Sequence, residues 1–304
     1  MIKTLLASVA FVALSGCATA ETGMDVTAAA EAPVVASGPA MWKLADEDTT
    51  IYLLGTFHML PEGLDWQDAR IRRAIDEAEE LVIEVDLDLD NPAAVAPTLQ
   101  EMGFTPGQAP LLERVPADKR DRLTTMVAES GLPIQAYNMM ESWFAATTLA
   151  SLQIQKIGFD PKSGVEYKLR SAFVEAGKPI GELESLRKQL GYMDTLSEEA
   201  QRAFLADVVT DEEEYRTMME KMQSAWVAGD VAKIAETFND DFDSSEELYD
   251  ALLVRRNADW TDQLEARLAQ PGTILVAVGA GHFAGENSVI DMLKAEGLTV
   301  TRVH

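Results

Sequence analysis

Ile51-Tyr52-Leu53-Leu54-Gly55-Thr56-Phe57-His58 and Ile274-Leu275-Val276-Ala277-Val278-Gly279-Ala280-Gly281-His282 follow one pattern: an apolar run, a glycine, two residues and a histidine. The chain has three histidines and the third is the terminal His304, so both internal histidines stand in this setting. A short unbroken apolar run reads as a strand buried on both faces, which is the habit of parallel sheets.

Each copy has a helix and a second strand beyond it. After His58, residues 66–80 place Ala69, Ile71, Ala74, Ile75 and Ala78 near helical spacing with charges opposite. Leu81-Val82-Ile83-Glu84-Val85 follows at once as a strand. After His282, 287–296 reads as a helix and 298–303 as a strand. Strand, helix and strand at this length form a βαβ unit with parallel strands. Residues 42–44 and 51–54 form a hairpin around Asp46-Glu47-Asp48. The expected fold is α/β: a central mixed, largely parallel sheet formed by N- and C-terminal βαβ units, with large helical insertions between them.

Those insertions cover about 91–157 and 186–269. The first is broken at Pro106-Gly107, Pro110, Pro116 and Gly131-Leu132-Pro133, and Met139, Met140, Trp143, Phe144, Leu149 and Leu152 give one of its helices an apolar face. Gly158-Phe159-Asp160 opens a loop before a helix at 165–176, and Ile180-Gly181-Glu182-Leu183-Glu184 reads as a short strand. The second insertion ends in two helices, 244–256 and 260–269.

The chain has 304 residues, 47% hydrophobic and 25% charged, which is a folded composition. Its net charge of -26 repels nucleic-acid phosphate, so a nucleic-acid partner is set aside. Residues 1–16 carry Lys3 and then an apolar segment, Leu5 to Leu14, too short to span a bilayer, and the stretch Leu14-Ser15-Gly16-Cys17 closes it. This is similar to a bacterial lipobox, with Cys17 as the lipidated first mature residue. Residues 17–40, rich in small and polar residues, read as a flexible tether to a domain at 41–304. The expected location is the cell envelope, lipid-anchored, with Ala18 after the cysteine favouring the outer membrane facing the periplasm.

In parallel α/β sheets, ligands bind beyond the carboxyl ends of the strands. His58 and His282 follow two such ends, and Gly55 and Gly279 let the chain turn there. Glu84 lies in an apolar run, where an unpaired carboxylate would cost several kcal/mol; Glu184 closes another candidate strand. Two imidazoles and a carboxylate are a ligand set for a divalent metal such as zinc, manganese or cobalt, with open positions for water. His58, His282 and Glu84 are therefore the expected ligands, and Glu184 a further catalytic carboxylate that takes the proton. There is no Gly-x-Ser-x-Gly elbow, phosphate loop or cysteine nucleophile in the body.

These segments, with Lys178-Pro179-Ile180-Gly181-Glu182-Leu183-Glu184, Arg255-Arg256-Asn257-Ala258-Asp259-Trp260 and Val278-Gly279-Ala280-Gly281-His282-Phe283-Ala284-Gly285, resemble the TraB/GumN family over about 41–304. The Tiki metalloproteases are related to it. The resemblance implies a fold akin to erythromycin-esterase-like proteins and a metal-dependent hydrolase, the Tiki branch being one that cleaves peptide bonds with manganese or cobalt. It implies that Glu184, Asp160 and Arg256 bind substrate or support the ligands. Two alternatives stay open: a non-catalytic envelope protein binding a peptide or haem, and a metal-free hydrolase with a histidine base.

Overall fold

A computed structural model describes residues 38–242 and 245–304. The signal segment, Cys17 and residues 18–37 of the tether lie outside the described residues. Residues 38–40 belong to the body: Ala40 is buried and its carbonyl accepts the Gly55 amide at 3.1 Å. Among the described residues no helix is long and apolar enough to cross a membrane.

One sheet of six strands organises the chain. Its strands are β1 (Met41–Ala45), β2 (Thr49–Thr56), β4 (Glu80–Ile83), β6 (Ile180–Glu182), β7 (Gly272–Gly279) and β8 (Val300–Arg302). Two further strands, β3 (Leu60–Pro61) and β5 (Phe159–Asp160), make a small antiparallel pair beside it. The order in the sheet is β6-β4-β7-β2-β1-β8. β6, β4, β7 and β2 are mutually parallel, and β1 is antiparallel to both β2 and β8. The α/β class and the hairpin are as the sequence implies, and the structure adds that the two glycine–histidine strands, β2 and β7, are parallel neighbours.

Both βαβ units are wider than expected. β7 lies between β2 and β4, and β2 and β1 lie between β7 and β8. Each unit still joins parallel strands through a helix, Ala69–Glu77 or Val289–Ala295. Residue alternation on the strands splits the core. Tyr52, Leu54, Leu81, Ile83, Leu275 and Ala277 face one cluster, where most of the helices pack. Ile51, Leu53, Ile274, Val276 and Val278 face another, closed by Trp260 and Leu264 of Arg255–Leu268 and by Val289, Ile290 and Leu293. With both faces covered, residues 274–278 are at most 1% exposed, which accounts for their unbroken apolar run.

Several local expectations change. The helix expected through Met139 and Met140 is two helices, Ile134–Met139 and Ser142–Lys156, and Met139 is exposed. The break expected at 257–259 is absent: Glu246–Tyr249 runs through a wide π-type turn, Asp250–Val254, straight into Arg255–Leu268. Such turns cluster at functional sites because they re-aim the side chains that follow. Here Arg256 is the second residue after it.

Candidate active site

Four neighbouring parallel strands each deliver one polar side chain just past their carboxyl ends. β2 supplies His58, β7 His282, β4 Glu84 and β6 Glu184. Thr56 is in register with Gly279 and Ile83 with Glu182, and Ile83 is level with Ala277, so β4 and β6 end two residues before β2 and β7. Glu84 is the first residue beyond β4 and not a strand residue. The Glu184 amide donates to the Glu84 carbonyl at 2.9 Å, which extends the pairing of β4 and β6 into the site.

Glu84 is the hub. Its Oε1 accepts the Gly279 amide at 2.8 Å, and its Oε2 accepts Arg256 Nη2 at 2.7 Å and Gln189 Nε2 at 3.1 Å. His58 Nε2 and His282 Nε2 each lie 3.9 Å from Oε1. Burial opposes charge on Glu84, but the Arg256 guanidinium, followed by His282, His58 and the Gly279 amide, outweighs it and holds the carboxyl down at about 2.

Behind Glu84, Arg256 is 3% exposed and spends its donors on four groups. Besides Glu84, Nε donates to both oxygens of Glu184 at 3.1 Å, and Nη1 reaches the Leu252 carbonyl at 3.3 Å and His282 Nε2 at 3.2 Å. The guanidinium carbon stands 4.6 Å from the centre of the Trp260 ring, one helical turn on. The Trp260 indole donates to Glu184 Oε1 at 3.0 Å. Burial raises the Glu184 pKa despite the arginine. The guanidinium is shared by the two carboxylates, and Glu84, which also accepts the Gly279 amide and Gln189, is the one held low.

The two histidines differ. His282 is fully buried, and its Nδ1 meets Asn257 Oδ1 at 2.6 Å. Asn257 spends its amide on the Asn287 carbonyl at 2.8 Å, so its oxygen faces the ring and Nδ1 carries the proton. Nε2 is then a lone pair facing Arg256, and burial with that cation lowers the His282 pKa well below the ordinary value. His58 stands at the edge of the cavity with Nδ1 2.6 Å from Glu166 Oε1. Burial works against its proton, but Glu166 prevails and raises the pKa to about 9.

Glu166 is a site residue that pattern reading missed, since a glutamate in the first turn of helix Val165–Glu175 is ordinary. The signal beside it is Gly164. A Cβ there would meet the His58 carbonyl at 1.9 Å, so glycine lets the helix start against the histidine turn. The Val165 amide donates to the Phe57 carbonyl at 3.1 Å and locks that contact. Glu166 also accepts from the Thr56 hydroxyl, while its Oε2 is buried without a hydrogen-bond partner among the described residues. Asn257 and Gln189 likewise leave no signal of their own in the sequence.

Gly55 and Gly279 act through space rather than turning. Neither has a positive φ. A Cβ on Gly279 would lie 3.1 Å from His58 Nε2 and 3.2 Å from Glu84 Oε1, and one on Gly55 3.2 Å from the Ala280 Cα. Asp160 is not brought to the cluster. It is exposed, and its carboxylate accepts the Lys162 amide at 2.8 Å. Glu184 belongs to the cluster but sits behind Arg256 with a fully buried side chain, so it positions the arginine and has no path to a substrate.

A small cavity opens onto His58, Glu84, Glu166 and Gln189. Buried, paired charges at the ends of adjoining parallel strands, with a cleft beside them, mark the class of α/β proteins that carry a ligand or catalytic site at the sheet's carboxyl edge. The chain belongs to the TraB/PrgY/gumN family, whose model matches residues 40–302. It is 28% identical over 244 residues to the "Uncharacterized protein YbaP" of Escherichia coli (strain K12), covering 80% of this chain and 87% of that one. The Shigella flexneri protein of the same name gives the same figures. No solved structure matches.

Proposed function

We propose that the cleft is a hydrolase site in which His58, Glu84 and His282 hold a divalent metal ion. The observation that carries this is the approach of both Nε2 atoms to the same Glu84 oxygen, at 3.9 Å each. Two imidazole nitrogens and a carboxylate suit zinc, manganese or cobalt. Each ring is steadied through Nδ1, by Glu166 and by Asn257, as outer partners steady metal-binding imidazoles. Among the described residues no three such side chains already stand at metal-holding distances. To hold an ion there, His58 would have to give up the proton that Glu166 favours, and Arg256 Nη1 would have to release His282 Nε2.

When bound, such an ion lowers the pKa of water and polarises a carbonyl. The chain's residues do the rest. Arg256 keeps Glu84 ionised, and Glu184 and Trp260 fix Arg256. The unpartnered Glu166 Oε2 accepts the proton of the attacking water. A peptide or small ester fits the cleft's chemistry; a haem does not suit a cavity of about 70 Å³. The lipobox-like Leu14-Ser15-Gly16-Cys17 supports an envelope lipoprotein, and palmitate incorporation lost in Cys17→Ser tests it.

The contact of Arg256 with Glu84, Glu184 and His282 favours one second reading. The guanidinium itself supplies positive charge in the cluster, and hydrolysis proceeds without metal. Untagged protein assayed on mixed peptide and ester substrates before and after exhaustive chelation separates the two. Activity lost on chelation and restored by manganese or cobalt supports the first; activity that survives selects the second.

A further inference from the structure

Between Glu84 and the helical insertion runs Val85-Asp86-Leu87-Asp88-Leu89-Asp90, with no regular secondary structure. Its alternation is nevertheless strict, and the two kinds of side chain go to different places. The aspartates are tied to the segment and helix on the far side of the cavity. Asp86 Oδ1 accepts Arg170 Nε at 2.6 Å, and Asp88 lies 3.9 Å from Arg170 Nη1. Asp90 accepts Lys162 Nζ at 2.6 Å and the Tyr167 hydroxyl at 3.0 Å. Val85, Leu87 and Leu89 line the cavity, together with Ile83 and Pro161.

Leu87 is the informative residue. It is half-buried and packs in neither hydrophobic cluster, whereas Leu89 rests against the larger one. A leucine held over a cleft by charged neighbours, with no core to fill, has apolar surface to offer to whatever enters. That surface lies in the same cavity as His58, Glu84 and Glu166. The cavity of about 70 Å³ is under half the roughly 150 Å³ that accepts benzene, so it suits a branched aliphatic group better than an aromatic ring.

We propose that residues 85–90 form a specificity strap, with Leu87 at its centre, that receives an aliphatic side chain of the substrate beside the reacting bond. The substrate class is then a peptide, or a related amino-acid amide or ester, with valine, leucine or isoleucine at the residue adjoining that bond. The aspartates hold the strap, and Arg170 is its main clasp. The proposal rests on the hydrolytic reading of the same cleft, but it makes a binding claim that stands apart from turnover.

The test uses the full chain, wild type and Leu87→Asp, with Leu87→Met as the conservative variant. Binding of N-acetyl-leucinamide, N-acetyl-phenylalaninamide and N-acetyl-aspartamide is measured by ligand-observed NMR, and a peptide library is scored for turnover. Wild type should bind the leucine amide at least about tenfold more tightly than the aspartate amide, with the phenylalanine amide weaker than leucine. Leu87→Asp should abolish that preference and Leu87→Met should keep most of it, with unchanged melting temperatures. Arg170→Gln should reduce it. A leucine preference lost in Leu87→Asp, with no turnover of any peptide, upholds the strap and sinks the hydrolase. Turnover with no aliphatic preference, or a preference untouched by Leu87→Asp, overturns the strap and leaves the hydrolase standing. No binding of the leucine amide at all overturns it too.

Discussion

Replacing Arg256 with methionine removes one buried cation and leaves two buried carboxylates, Glu84 and Glu184, facing each other's field. The magnitude is bounded by the net depression of the Glu84 carboxyl, in which Arg256 is the largest of the lowering partners, ahead of His282, His58 and the Gly279 amide. The carboxyl sits at about 2 instead of 4.5, and at 1.36 kcal/mol per pKa unit this difference is worth about 3 kcal/mol of folded-state stability near neutral pH. Breaking a buried pair by removing one partner costs about 3–5 kcal/mol, in keeping with that figure. The sign with pH is distinctive. In the wild type the Glu84 contribution is present above 4.5 and is lost as pH falls through about 2. Glu184, raised by burial, acts in the opposite sense: its contribution is present below the unfolded pKa and is lost as pH rises through the folded one. Without Arg256 both carboxylates follow the Glu184 pattern, so the variant recovers stability relative to wild type on acidification. Urea unfolding at pH 7 and pH 4.5 should show a gap of about 3–5 kcal/mol at the first pH and a clearly smaller one at the second. A gap below about 1 kcal/mol at pH 7, or one equal at the two pH values, refutes the assignment of Arg256 as the cluster's counter-charge.

Other perturbations probe separate parts of the site. Gly279→Ala places a Cβ 3.1 Å from His58 Nε2, so it should cost about 1–3 kcal/mol in urea unfolding. Its hydrolytic rate should drop by about tenfold or more from displacement of the imidazole. Trp226→Phe removes the indole bond to the Gly55 carbonyl, 2.8 Å long and buried; thermal unfolding should report a loss of about 1–3 kcal/mol. Glu166→Gln keeps the shape but removes the carboxylate that faces His58 and whose other oxygen is unpartnered among the described residues. It should lower kcat by about 10²-fold or more with KM changed little, and a kcat within twofold of wild type would remove Glu166 from the proposal.

How much of this could be read from residues alone depends on what kind of signal each one leaves. The strand at 274–278 declared itself because burial on both faces removes every polar residue from the run. Glu84 stood out as the exception, and its partners explain it: a carboxylate is tolerated there because Arg256, Gln189 and the Gly279 amide receive it. The order of strands was not readable. β7 inserts between β2 and β4 from nearly 200 residues away, and local pattern says nothing about such a partner. The roles of Gly55 and Gly279 were misread because a glycine that makes room and a glycine that turns look alike in sequence. Arg256 came from its resemblance to a family stretch and not from periodicity, which distinguishes polar from apolar faces but not which charge is buried. Glu166 left no trace beyond the Gly164 that lets its helix start against His58. Asp160 drew attention by its motif, yet it serves as a cap on the chain reversal at Pro161–Ser163.

The most direct test of the account is a cobalt(II) titration of untagged protein, followed by visible absorption and by metal analysis after desalting. Wild type should take up one equivalent with a ligand-field spectrum, and His58→Ala, Glu84→Ala and His282→Ala should each lose it while remaining folded. Uptake that is absent in the wild type, or that persists unchanged in the folded histidine variants, contradicts a shared metal site at the ends of β2, β4 and β7.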